Sequence, residues 1–201
     1  MRIIKKIQLF LFLLAMVNIC VGNTVPSEVV DAANKGLPGF LQTITSKKAN
    51  YGFKSSDQNF VLAEPFELHM ITPKALSCFK PGDTVSKIVS KTGIWLFPVL
   101  VNGEYRSILT VDKMNNSWKA VSLGRAPLAR KLQLIRQTWP ISKGYHPQLI
   151  VVYQATKYFF HVPEVDSTNI TLISSKENKN LENLNSTVGK LNQQVSSAIA
   201  K

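Results

Sequence analysis

The stretch FPVLVNGEYRSILTV, residues 97–111, carries the clearest structural signal in this chain. Asn102 and Gly103 separate two apolar runs, and an Asn-Gly pair in that position is the strongest short-range signal for a β-hairpin with a two-residue turn. Such a turn also fixes how the two strands pair. The predicted cross-strand pairs are Leu100–Tyr105, Phe97–Ile108 and Leu96–Leu109.

In this register both faces of the hairpin carry apolar side chains, so each face must pack against another part of the chain or against a partner. We predict that one face belongs to the core, with Leu96, Leu100, Tyr105, Leu109 and Val111. The other face carries Trp95, Phe97, Val99 and Ile108 far from the turn, with Glu104 and Arg106 near it. Either helices near the N-terminus pack on this second face, or Trp95, Phe97 and Arg106 form an exposed patch that binds a partner. The sequence leaves both alternatives open.

The remaining segments alternate between short strands and a few helices. Strands are predicted at residues 60–72, 118–123, 148–154, 157–162 and 169–173, and helices at 27–35, from Pro38 onward and at 127–139. Pro65 makes the first of these an edge strand, because proline cannot donate to a sheet ladder. We therefore predict an α+β domain, an antiparallel sheet of about four to six strands with helices packed on one face.

Two helix boundaries are marked by residues with known preferences. Ser27 is the predicted N-cap of the first helix, and Gly36 lies where a C′ glycine ends a helix. Pro38 then stands at a plausible start for a second helix. The helix at residues 127–139 opens at Pro127 and closes before Pro140.

The first 22 residues have the pattern of a secretory signal peptide. The segment MRIIKK is basic without an acidic residue, and an unbroken apolar run follows at residues 9–17. That run is shorter than the roughly 20 residues of a membrane-spanning helix, so an uncleaved membrane anchor is the less favoured alternative. Cleavage after Gly22 leaves a secreted or periplasmic chain, with one α+β domain at residues 23–175 and a tail at 176–201.

Charge is the most informative functional feature of the sequence. The chain has 24 Lys and Arg against 12 Asp and Glu, a net charge of +12, and removal of the leader leaves +9. Residues 113–163 contain no Asp or Glu but eight Lys or Arg. Unbalanced charge of this kind attracts acidic proteins, anionic cell-envelope polymers or anionic membrane surfaces. Export and the lack of a base-stacking motif argue against nucleic acid.

The residues predicted to bind such a partner include both aromatic and basic side chains. They are Trp95, Phe97, Arg106, Lys113, Lys119, Arg125, Arg130, Lys131 and Arg136. On the predicted helix Lys131 and Arg136 flank the apolar stripe and Arg130 lies on the far side, so the cations do not form a single line. The alternative is an ordinary solvated helix whose long basic side chains lie along apolar surface.

Catalytic motifs are scarce in this sequence. There is no GxGxxG, HExxH or GxSxG, and the histidines at positions 69, 146 and 161 lack a second ligand at metal spacing. We therefore expect neither a cofactor nor a metal. Cys78, the one cysteine left after cleavage, gives the alternative of a secreted thiol-dependent hydrolase. The favoured hypothesis is a non-catalytic domain that binds a protein or an anionic envelope surface.

The tail at residues 176–201 has its own apolar spacing. Leu181, Leu184, Val188, Leu191, Val195 and Ala198 repeat at alternating intervals of three and four, the seam of a short coiled coil. We predict a polar amphipathic helix that docks on the domain, pairs with another helix or frays.

Overall fold

A computed structural model describes residues 25–80 and 82–173, together with the backbone of residues 182 and 183. The predicted signal peptide and almost all of the predicted tail lie outside these described residues. Within the described residues there are three α-helices: α1 at Ser27–Thr43, α2 at Pro73–Cys78 and α3 at Ala126–Thr138. Four 3-10 helices connect the elements, at Thr45–Tyr51, Val85–Lys87, Ile141–Lys143 and Tyr153–Ala155.

Nine strands form the sheet. They are β1 Val61–Leu62, β2 Phe66–Ile71, β3 Val89–Val101, β4 Glu104–Met114, β5 Ser117–Gly124, β6 Gln148–Val152, β7 Lys157–His161, β8 Asn169–Leu172 and β9 Glu182–Asn183. The order across the sheet is β5-β4-β3-β2-β6-β7-β8-β9, and β1 pairs with β3. Every pair is antiparallel except β2 with β6. The predicted α+β class is confirmed, although the sheet has more strands than predicted.

The position of β2 corrects one prediction. This strand lies between β3 and β6 rather than at an edge of the sheet. Pro65 lies just before Phe66, the first residue of the strand, so its missing N–H removes no ladder bond from β2. The proline therefore marks where the strand begins and says nothing about its neighbours.

The hairpin of β3 and β4 has the predicted turn but not the predicted register along its whole length. Asn102 and Gly103 both have positive φ, 51° and 80°, as a two-residue primed turn requires. Leu100 pairs with Tyr105 as predicted, but the register then shifts by one residue at Arg106. Beyond this bulge the pairs are Val99–Ser107, Pro98–Ile108, Phe97–Leu109 and Leu96–Thr110, so the predicted Phe97–Ile108 and Leu96–Leu109 pairs are wrong.

Helices cover both faces of the hairpin, not one as predicted. On one face Trp95, Phe97 and Val99 pack with the helix α1. On the other, Leu96 and Ile108 pack with α3. Because successive side chains of a strand point to opposite faces, α1 and α3 lie on opposite sides of the sheet. The short helix α2 packs in a separate cluster with β6, β7 and β8.

The helix α1 continues through two residues that were predicted to divide it. Gly36 and Pro38 both lie inside the helix, and its N-cap is Pro26 rather than Ser27. Val29, Ala33 and Leu37 repeat every four residues and are buried, so one apolar stripe packs on the sheet along the helix. This tertiary contact outweighs the local stop signals.

The helix α3 agrees with its sequence signals. Its bounds, Ala126–Thr138, place Pro127 in the first turn and Pro140 just beyond the end. Ala129, Leu132 and Ile135 are buried against the sheet.

Candidate functional site

The predicted aromatic patch belongs to the core. Trp95 is 7% exposed and Phe97 is 2% exposed, and both pack with α1. A partner therefore cannot reach either side chain while α1 is in place. Of the two alternatives for this face, the structure shows the one in which an N-terminal helix covers it.

Arg106 and Arg136, two of the predicted binding cations, are held by neighbouring groups. Arg106 Nη2 lies 2.7 Å from Glu104 Oε2. The guanidinium of Arg136 stacks 4.2 Å from the centre of the Phe66 ring, and its Nη2 donates to the carbonyl of Pro65 at 3.4 Å. Arg136 thus joins α3 to the start of β2, which is a structural role.

The environment of Arg136 also changes its ionisation. Burial lowers the pKa of this guanidinium from its ordinary value, while the carboxylate of Glu64 and the phenol of Tyr105 oppose the shift. The same burial raises the pKa of Tyr105. Although the buried Nε of Arg136 has no hydrogen-bond partner among the described residues, a half-buried guanidinium stacked on Phe66 is poorly placed to bind a ligand.

The other five predicted cations fall into two groups. Lys113 and Lys119 are exposed on the neighbouring strands β4 and β5, and Lys113 Nζ lies 5.9 Å from the centre of the Trp118 ring. Arg125 and Arg130 are exposed and Lys131 is half-buried, at the start and in the first half of α3. No carboxylate of the described residues forms an ion pair with any of these five. Their charge is therefore available to solvent or to a partner.

A cavity of about 370 Å³ lies beside the first residues of β5. It is lined by Glu28, Asp31, Ala32, Lys35, Asn116, Ser117 and Trp118. We call it the acid–Trp cavity, because Glu28 and Asp31 of α1 face the Trp118 side of the β4–β5 turn. Neither carboxylate forms an ion pair within the part of the chain that the structure describes.

Sequence reasoning missed this cavity. Acidic residues near the start of a helix are common because they interact favourably with the helix dipole. Glu28 and Asp31 therefore did not indicate a site in the sequence. A weak signal was present in Asn115-Asn116, which both adopt positive φ in the turn, 49° and 64°. Tertiary packing of α1 on β5 is what brings the acidic and aromatic residues together.

Cys78, the alternative nucleophile, lies exposed at the last residue of α2. Within the described residues its sulfur makes no hydrogen bond to a histidine, and the histidine rings contact other groups. His69 Nδ1 donates to the Glu67 carbonyl at 3.1 Å, and His161 Nδ1 donates to the Asn169 carbonyl at 2.8 Å. A thiol nucleophile needs an adjacent base, so this geometry gives the hydrolase hypothesis no support.

Two of the histidines are buried in the sheet. His69 is 7% exposed and His161 is 4% exposed, and burial lowers the pKa of each below its ordinary value. The carboxylate of Glu67 opposes the shift at His69, with Oε2 at 4.0 Å from Nε2, and the same oxygen lies 2.8 Å from Lys91 Nζ. These groups bear on stability rather than on ligand binding.

Residues 25–80 and 82–173 contain no group of three or more His, Cys, Asp or Glu side chains that could hold a metal ion. No helix in these two ranges is long and apolar enough to cross a membrane. No family model, curated protein or solved structure matches this chain significantly.

Proposed function

We propose that this protein is an exported, non-catalytic binding domain that holds an anionic partner through exposed Lys and Arg side chains. The partner is an acidic protein, or an anionic polymer or membrane surface of the cell envelope, and the chemistry these share is a dense array of negative charge. One observation carries the proposal. Arg136 is held by its stacking on Phe66, but none of the eight cations of residues 113–163 forms an ion pair with a carboxylate of the described residues.

The placement of these cations favours an extended partner over a small one. Lys113 and Lys119 lie on the neighbouring strands β4 and β5, whereas Arg130 and Lys131 lie on α3. Exposed charges act over about 8 Å at physiological salt, so separate groups of cations act together only on a ligand that spans them. A surface or polymer meets that requirement.

The test compares vesicles and polymers that differ in charge. The full chain, expressed with its own leader and purified, is mixed with phosphatidylglycerol vesicles, with neutral phosphatidylcholine vesicles and with poly-glutamate at about 0.15 M salt. We expect retention on one or both anionic materials that weakens as salt increases. Retention on vesicles alone indicates a membrane surface, and retention on poly-glutamate alone indicates an acidic polymer or protein.

A pair of charge-matched variants separates specific binding from net charge. Arg130→Glu with Lys131→Glu reverses two cations within the acid-free stretch, and Lys47→Glu with Lys74→Glu reverses two exposed cations outside it. We expect the first pair to lose more retention than the second. Equal losses, or no retention on any anionic material even at low salt, would refute the proposal.

A further inference from the structure

The strand β5 is an outer strand of the sheet with an unpaired edge. Among the described residues it pairs only with β4, over Ser117–Gly124. The helix α1 packs on one face of β5, where Gly36 meets Ala120. An edge strand presents a row of N–H and C=O groups that another strand can use, and this one is eight residues long.

The two ends of β5 carry complementary chemistry. Its first residues border the acid–Trp cavity, whose lining includes Glu28, Asp31 and Trp118 together with one cation, Lys35. One residue beyond its last, Arg125 is exposed in a left-handed conformation with φ 60°. The cavity end therefore has two carboxylates and one lysine in its lining, none of them in an ion pair within the described residues. At the other end Arg125 has no carboxylate partner among those residues.

We propose that β5 pairs antiparallel with β5 of a second copy of this chain about a two-fold axis, and that Arg125 of each copy enters the acid–Trp cavity of the other. Antiparallel pairing about such an axis brings the end of one strand beside the start of its mate. Arg125 of one copy then lies next to the second copy's Trp118. A guanidinium pairs with carboxylates and stacks on an indole ring, so the lining suits this side chain.

The middle of the strand bears on how specific such a dimer is. In the register that puts Arg125 beside Trp118 of the other copy, the two-fold axis passes between Val121 and Ser122. The two Lys119 side chains then lie five residues apart along the paired strands, and Asp112, opposite Lys119 on β4, further offsets their repulsion. Lysines and bulges on an edge strand discourage unspecific pairing, and β5 has both, with an irregularity beside Val121. The contacts of Arg125 with the acid–Trp cavity at both ends favour one register over the others. Because a two-fold interface uses the same surface of both copies, it gives a closed dimer and not a fibre.

The first test is the oligomeric state of the full chain, expressed with its own leader and purified. Sedimentation equilibrium over a wide range of concentrations is expected to show a monomer–dimer equilibrium. Arg125→Glu and Asp31→Arg each place like charges at both ends of the interface. We expect each variant to weaken the dimer by about tenfold or more, with circular dichroism spectra unchanged.

Mixing these two variants gives the decisive result. In a mixed dimer the new Glu at 125 of one copy meets the new Arg at 31 of the other, and the native Arg125–Asp31 pair forms at the opposite end. The mixture is therefore expected to dimerise at concentrations where each variant alone is monomeric.

Arg130→Glu is the matched control, because it reverses an exposed cation on α3 away from β5. It is expected to leave the dimer unchanged. A monomer at every concentration, equal weakening by Arg125→Glu and Arg130→Glu, or no recovery in the mixture would overturn the inference. Retention of the Arg125→Glu monomer on anionic material is measured separately, so this inference and the proposed function can fail independently.

Discussion

Gly36→Ala adds one methyl group where α1 lies close against β5. An ideal Cβ on Gly36 would lie 2.2 Å from the Cβ of Ala120 and 3.5 Å from its Cα. Carbon atoms in contact normally stay about 3.5–4.0 Å apart, so α1 and β5 must separate by more than ~1 Å. Because the obstructing methyl is fixed to the backbone of β5, no side-chain rotation relieves the overlap.

The expected loss of stability is the difference of two effects. Severe overpacking costs about 2–3 kcal/mol, and replacing glycine by alanine inside a helix returns about 1 kcal/mol. We therefore expect Gly36→Ala to lower the free energy of unfolding by about 1–2 kcal/mol. For a domain of this size that corresponds to a fall in Tm of roughly 2–8 °C.

The same helix offers a matched control. A Cβ on Gly39 would meet nothing within 4 Å, so Gly39→Ala keeps only the gain in helix propensity and is expected to stabilise by up to about 1 kcal/mol. Ala120→Gly removes the obstructing methyl, so Gly36→Ala in that background is expected to recover most of its loss. Such coupling between the two sites identifies their contact as the cause.

Urea unfolding followed by circular dichroism measures the wild type, the three single variants and the double variant. The result that refutes the reasoning is a Gly36→Ala midpoint raised as far as that of Gly39→Ala. In that event α1 does not approach β5 at Gly36, and its position on the hairpin would have to be revised.

Three further predictions concern other parts of the fold. Burial lowers the pKa of His69 and His161 below 6.5, so their contribution to stability is present above about pH 6.5 and is lost as pH falls through the lowered values. The urea midpoint should therefore fall between pH 7.5 and pH 5. A midpoint that does not change with pH would contradict the burial of these two histidines. Cys78 is exposed, so the native protein should react with iodoacetamide at a rate near that of the unfolded chain, and reaction only after denaturation would show a buried thiol. The side chain of Gln133 accepts a hydrogen bond from the Tyr105 N–H at 2.9 Å and donates one to the Gly103 carbonyl at 2.9 Å. Gln133→Ala should therefore lower the free energy of unfolding by about 1–2 kcal/mol in the same urea assay. An unchanged midpoint would mean that water replaces both hydrogen bonds.

The charged residues show how far a sequence can define a candidate site. The absence of acidic residues from 113–163 is visible in the sequence, and the cations there lack carboxylate partners among the described residues. The sequence does not show which of these cations are free to bind a partner and which are held by other residues of the fold. Arg136 stacks on Phe66, a residue 70 positions away in sequence, and no local pattern encodes that contact.

Features that depend on local chain geometry follow directly from the sequence. Asn102 and Gly103 tolerate positive φ, so they fix the hairpin turn wherever the strands go. Prolines near both ends of α3 likewise determine where the helix begins and ends, because the proline ring restricts φ and removes a backbone hydrogen-bond donor. Alternating apolar residues sufficed for the α+β class.

How the two faces of the hairpin are covered depends on contacts between residues that are far apart in the sequence. One extra residue at Arg106 shifts the register of the hairpin and places Leu109 on the face of Trp95 and Phe97, beneath α1. The turn accepts either register, so the choice depends on which pairing buries more apolar surface between two helices. The local sequence around Gly36 likewise predicts the end of a helix, yet this residue lies inside α1. A glycine is needed there because Ala120, far along the chain, leaves room for a hydrogen atom and not for a methyl group.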